Sequence, residues 1–243
     1  MAETVSEDRW FEHDGTRIGG VAAWRPDRLP APALIIVPDV FGVSDLYRRV
    51  GQRFAAAGFF SFVLDFYSRE GAPKLADMDA VFAWIAALDD RRVLGDIGAA
   101  AGWLHALPEV AGHGVGILGF CLGGQYALTA ACSGAGIDSA VSFYGMLRYA
   151  EHNEHKPAAP LDVAANLACP WLGLFGADDA LIPAADVAEL DETLRRHDKT
   201  FAIHVYPGAG HAFCNDTRAD AYRPEAAADA FGRAEAFLQI HLR

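Results

Sequence analysis

The sequence predicts an α/β fold, a mostly parallel central sheet covered by helices on both faces. Three observations carry this: short apolar runs recur along the chain, segments of helical length alternate with them, and no linker, repeat or low-complexity tract interrupts the pattern. Residues 17–24 form an early strand, and ALIIV at 33–37 has the continuous apolar character of a strand buried on both faces. A helix is expected over 46–57, then a buried strand over 60–64 that ends at Asp65. Two helical segments, 78–88 and 97–107, precede a strand over 115–118 and a helix over 125–131. Strands at 139–143 and 171–175, a helix at 185–196, a strand at 201–206 and a closing helix at 225–242 complete the alternation. The irregular stretch 148–160 reads as a surface loop near the functional edge of the sheet. It contains His152 and His155, an i, i+3 pair, but its prolines argue against the regular helix that would seat a metal between them.

At 243 residues the whole chain, 1–243, fits one domain. A hydrophobic fraction of 52% supplies ample core and no signature of disorder. No run approaches the ~18 apolar residues that a membrane helix needs, and the opening MAETVSEDRW is acidic with no apolar signal core, so a cytoplasmic protein is expected. The formal net charge of −12 disfavours nucleic acid as a partner, because binding to a phosphate backbone draws on a basic surface. Cys121, Cys132, Cys169 and Cys214 are widely spaced without a CxxC pair, which points to free thiols rather than a zinc or redox site.

The segment GFCLGG, residues 119–124, places a cysteine where a strand turns sharply into a helix. Glycines on both sides relieve the crowding of such a turn, so the side chain can stand exposed at the head of the helix. The usual form is GxSxG, with Cys121 here in place of serine. The helix N-terminus favours thiolate over thiol, which makes Cys121 the candidate nucleophile.

A cysteine nucleophile needs a base to hold its proton and a carboxylate to orient that base. Asp178 and Asp179 both follow the strand at 171–175, at the C-terminal sheet edge where open α/β sheets place their ligands. His211 lies in GAGHAF, on the loop after the last strand. The order nucleophile, acid, base is that of an α/β-hydrolase.

These residues also carry a resemblance. GxCxGG at Gly119, Cys121, Gly123 and Gly124, PDVFG at 38–42, DFYSR at 65–69, LGDI at 94–97, FYG at 143–145, GxxDxxxP ending at Pro183, and GHAF together resemble the dienelactone hydrolase family of α/β hydrolases over nearly the whole chain. The resemblance implies that Cys121 attacks an ester carbonyl, that His211 carries the proton, and that Asp179 rather than Asp178 orients His211. It further implies that backbone N–H groups of Val40 and Leu122 hold the oxyanion, and that no metal or organic cofactor takes part. Two departures stand out. Asp39 occupies the place of a glutamate that, in the family, attends the resting nucleophile. The family's two carboxylate-binding arginines are missing, with Asn215 at one position and Met78, on the apolar face of a helix, near the other. Arg69, Arg148, Lys74 and Arg218 are the cations available to replace them, and Phe41, Phe82, Tyr144 and Phe213 the candidate apolar walls.

The expected activity is therefore that of a cysteine-dependent carboxylic-ester hydrolase, acting on a small ester or lactone through a Cys-His-Asp triad and a thioester. The alternatives are an acyl-binding module of low turnover on the same fold, and a thiol amidase or protease using the same residues. The expected partner is a small molecule, with no nucleic acid or membrane, and the protein a monomer or small homo-oligomer.

Overall fold

The computed structural model describes residues 3–242. Eight strands form one sheet: β1 (Val5–His13), β2 (Thr16–Trp24), β3 (Ala33–Val37), β4 (Phe60–Leu64), β5 (Val115–Phe120), β6 (Ser139–Phe143), β7 (Trp171–Gly176) and β8 (Phe201–Tyr206). Their spatial order is β1-β2-β4-β3-β5-β6-β7-β8. β1 and β2 form an antiparallel hairpin, β2 runs antiparallel to β4, and every later pairing is parallel. The helices are α1 (Asp45–Ala56), α2 (Met78–Ala87), α3 (Asp90–His105), α4 (Leu122–Cys132), α5 (Pro160–Val163), α6 (Ala184–Arg196) and α7 (Pro224–His241). The expected α/β-hydrolase architecture is present.

The apolar runs are buried because both faces of the sheet are covered. Neighbouring residues of β4 show this: the Ser61 hydroxyl donates to the Gly51 carbonyl of α1 at 2.8 Å, while the Phe62 ring packs edge-on against Trp103 of α3, 5.0 Å between centroids. Alternate side chains of a strand point to opposite faces, so α1 and α3 lie on opposite sides. Arg53 of α1 bonds Glu235 of α7 at 2.6 Å, which ties these two helices together. All residues of β3, β4, β5, β6 and β7 are buried.

Several elements differ from expectation: α5 is not anticipated, α4 begins three residues early at Leu122, and two further differences have identifiable causes. The first strand, β1, is absent from the sequence reading because its residues are mostly exposed and charged; antiparallel pairing along the whole of β2 holds it in place. The helix expected to begin at residue 97 starts a full two turns earlier, at Asp90, capped by Asp89, whose Oδ1 accepts the Arg91 N–H at 3.0 Å.

The stretch 148–160 is irregular, as expected, but its lysine is no surface charge. Lys156 is 1% exposed and donates to Asp90 Oδ1, which also accepts the Tyr126 hydroxyl at 2.7 Å. Tyr149 donates to Asp90 Oδ2 at 2.6 Å, and Gln125 Nε2 donates to the Tyr149 oxygen at 2.9 Å. Burial depresses the Lys156 ammonium and Asp90 resists that depression. This network pins the loop to the starts of α3 and α4. His152 bonds Asp162 at 3.0 Å, and no cluster of three or more metal-binding side chains occurs among the described residues.

Candidate active site

The parallel strands β3, β5, β7 and β8 end on the same edge of the sheet, and the loops that follow them carry Asp39, Cys121, Asp179 and His211 respectively. Cys121 stands between β5 and α4 with φ 54° and ψ −116°, a conformation that is costly for a residue with a Cβ. Its N–H donates to the Phe143 carbonyl and its carbonyl accepts from the Gln125 N–H, both at 3.0 Å, so the turn is clamped on each side. The flanking glycines are needed for close approach. A Cβ on Gly119 would lie 1.9 Å from the Gly123 oxygen, and one on Gly123 would lie 2.1 Å from the Val37 oxygen.

Asp179 follows β7, and its side chain is fully buried. Oδ1 accepts the Leu181 N–H at 2.9 Å, and Oδ2 lies 2.8 Å from His211 Nδ1. The choice between Asp178 and Asp179 is thus resolved in geometry: Asp178 is exposed, and Asp179 meets the histidine. The other ring nitrogen, Nε2, is buried and completes no hydrogen bond among the described residues. Burial works to lower the His211 pKa, but the Asp179 carboxylate and the Cys121 sulfur beside the ring outweigh it and push it up to about 10. Tyr144 packs edge-on against the imidazole, 5.3 Å between centroids.

Asp39 lines the same cavity as Cys121 and His211. Burial raises its carboxyl against the opposing pull of the Phe41 N–H and the Tyr47 hydroxyl. The Phe41 N–H reaches Asp39 Oδ1 at 3.0 Å, and no hydrogen bond joins Asp39 to the Cys121 thiol among the described residues. Asp39 therefore shapes its own turn as well as facing the cavity. Its carbonyl accepts the Gly42 N–H at 2.9 Å. In a trans peptide the N–H points opposite to the C=O, so this bond turns the Val40 N–H the other way. Neither that N–H nor the Leu122 N–H at the head of α4 has an acceptor among the described residues. The Tyr67 hydroxyl, donating to the Val40 carbonyl, braces the same loop.

The cavity over Cys121 has a volume of about 90 Å³. Phe41 and Phe82 line it as expected, but Tyr144 and Phe213 do not: Tyr144 is 2% exposed and Phe213 0%, and they pack on each other behind the histidine. Arg69 and Arg148 are not brought to the cavity either. Arg69 is held by Asp96 at 2.6 Å, and Arg148 by Asp186 at 3.0 Å and by Glu189. Arg218 is the cation that lines the cavity, beside Asn215. Met78 stands at the exposed start of α2, on the apolar face expected, and lines the cavity with Val81 and Ile85. Met146 and Leu181 complete the apolar side. The sequence offered no signal for these last two, since each follows its strand by a loop of unpredictable course. A wider groove of about 580 Å³ opens beside β1 and β2, but it contains none of Cys121, Asp179 and His211.

Burial pushes Cys132 and Cys169 up to about 12 and Cys214 well above the usual thiol range.

The sequence and the fold have counterparts among known proteins. The sequence profile of the dienelactone hydrolase family matches residues 18–242. The chain belongs to the dienelactone hydrolase family. A Bradyrhizobium protein provisionally named 2-oxo-3-(5-oxofuran-2-ylidene)propanoate lactonase is 38% identical over 211 residues, covering 87% of this chain and 84% of the relative. An Escherichia coli K12 protein provisionally named carboxymethylenebutenolidase is 34% identical over 206 residues, covering 84% and 75%. A crystal structure of a provisionally named dienelactone hydrolase from Klebsiella pneumoniae superposes with a TM-score of 0.91 at 31% identity, covering 98% of this chain and 99% of that one. The expected membership of this hydrolase family, within the α/β-hydrolase superfamily, is met.

Proposed function

We propose that this member of the family hydrolyses small esters or lactones with Cys121 as nucleophile, Asp179 and His211 as its acid and base partners, and a thioester intermediate. The observation that carries the reading is His211, bonded through Nδ1 to buried Asp179 while its Nε2 completes no hydrogen bond among the described residues and its ring lines the same cavity as Cys121, whose sulfur is near enough to raise its pKa.

His211, with its pKa pushed up to about 10, is suited to holding a proton beside the Cys121 sulfur, and the reaction starts when that sulfur acts as thiolate. The thiolate sulfur attacks the carbonyl carbon and the carbonyl π pair moves to oxygen, where the Val40 and Leu122 N–H groups receive the charge. Collapse breaks the bond to the leaving oxygen, which takes the proton from His211 Nε2 and departs as an alcohol, or stays tethered if the substrate was a lactone. The sulfur is now a neutral thioester, so its share of the support for the imidazolium is gone, and neutral His211 can accept a proton from water. That water attacks the thioester, the sulfur leaves as thiolate, and the acid is released. Asp179 holds the ring in place throughout. Asp39, with its raised carboxyl, is suited to sharing a proton within the cavity.

No helix among the described residues is long and apolar enough to cross a membrane, and four free thiols support a reducing, cytoplasmic setting. The test is Cys121→Ala assayed on p-nitrophenyl acetate. Loss of turnover with an unchanged melting curve is expected; retained turnover by the folded variant overturns the proposal.

A further inference from the structure

We infer that α2 is an acyl-binding wall, and that the site selects esters and lactones whose acyl part is uncharged and apolar over those whose acyl part ends in a carboxylate. The inference rests on the hydrolase reading above and specifies its substrate.

The first support is the composition and exposure of α2. MDAVFAWIAA carries one charge, Asp79, and buries only Val81 and Ile85. Met78 is 54% and Phe82 41% exposed. Isolated apolar residues on a surface are ordinary, but these are not isolated. Phe41, Met78, Phe82 and Leu181 are half of the exposed large hydrophobics among the described residues, and all four line the one cavity that holds Cys121.

The second support is charge. Arg218 is the one cationic side chain besides His211 lining the cavity, and its guanidinium already bonds Asp220 at 2.8 Å. Asp39 lines the same cavity and also draws on the Arg218 charge. An entering carboxylate would therefore compete with two acids for one arginine, and none of the groups on α2 could pair with it.

The third is the direction of the chemistry. His211 hands its proton to the leaving oxygen, so the leaving group lies towards the loop that carries His211, Asn215 and Arg218. The acyl part then extends away from that loop, and α2 supplies the largest share of the apolar lining left to receive it.

The test compares kcat/KM for p-nitrophenyl acetate, butyrate and hexanoate with that for mono-p-nitrophenyl adipate, which matches hexanoate in length and adds a carboxylate. The neutral series should rise by about three- to fourfold per methylene, the effect of burying each group, and hexanoate should exceed adipate at least tenfold. The Met78→Ser, Phe82→Ser double variant should cut the hexanoate-to-acetate ratio about tenfold. Ile240→Ser, an equally exposed apolar site on α7, should leave that ratio unchanged. Phe82→Lys, a change at a solvent-facing position, should raise adipate relative to hexanoate. An adipate ester turned over as fast as hexanoate, or a ratio unmoved by the α2 changes in a protein that hydrolyses acetate, overturns the acyl-wall inference alone. An enzyme inert to every ester, acetate included, overturns the hydrolase reading with it.

Discussion

Replacing Gly123 by alanine should part the Val40 and Leu122 N–H groups, the two oxyanion donors proposed above, while leaving every polar side chain of the site in place. The new Cβ would lie 2.1 Å from the Val37 oxygen and 2.4 Å from the Pro38 oxygen, both backbone atoms that no side-chain rotation can move aside. To reach even 3.0 Å, the head of α4 and the end of β3 must separate by about 0.9 Å. Leu122 rides on the first and Val40 follows the second, so a bond of ~2.9 Å to the oxyanion stretches beyond hydrogen-bonding range on one side. Losing one such donor costs roughly 10²–10³ in kcat. Overpacking adds a stability loss of about 1–3 kcal/mol, a fall of roughly 2–12 °C in Tm for a chain of this size. Steady-state hydrolysis of p-nitrophenyl acetate, run well below the new Tm, reads the first effect. Iodoacetamide labelling of Cys121 checks that the thiol remains reactive. A kcat within about threefold of the parent would refute the claim that the Gly123 contact sets the spacing of the two N–H groups.

Three further outcomes are expected. Asp179→Asn should lower kcat by ~10³–10⁴, because an amide no longer fixes the imidazole or supports its charge; the same assay measures it. His211 is held protonated more tightly when folded, about 10 against its ordinary 6.5, so its contribution to stability is complete below pH 6.5 and is lost as the pH rises through about 10. Urea midpoints of the parent and Asp179→Asn should therefore converge between those limits, and a gap that widens at alkaline pH would contradict the sign. Lys156→Met leaves Asp90 buried without its cation, which should cost about 3–5 kcal/mol, or roughly 6–20 °C in Tm; a melting curve shifted by less than 2 °C would show that the two tyrosine donors suffice.

The parallel strands were legible because burial on both faces leaves an unbroken apolar run, as in ALIIV, and the elbow because only glycine fits on either side of Cys121. Asp179 and His211 were legible by their places after β7 and β8. β1 was not, since Glu7, Asp8 and Arg9 run together and neither face of the segment is apolar enough to betray a strand. Arg69 shows the limit for substrate residues: a surface arginine and an arginine locked to Asp96 and Thr16 look alike in sequence. Lys156 errs the other way, because a lysine in a proline-rich loop carries no mark of the buried carboxylate that waits for it on α3. Met78 lies on the apolar face of α2 as read, but the sequence carried no sign that this face lines the cavity over Cys121.

Acid quenching during turnover of p-nitrophenyl acetate, followed by peptide mass spectrometry, tests the central claim most directly. Burial keeps Cys132, Cys169 and Cys214 protonated, so a single acetyl increment is expected on the peptide bearing Cys121. An acetyl group found on another residue, with Cys121 unmodified, would contradict the account.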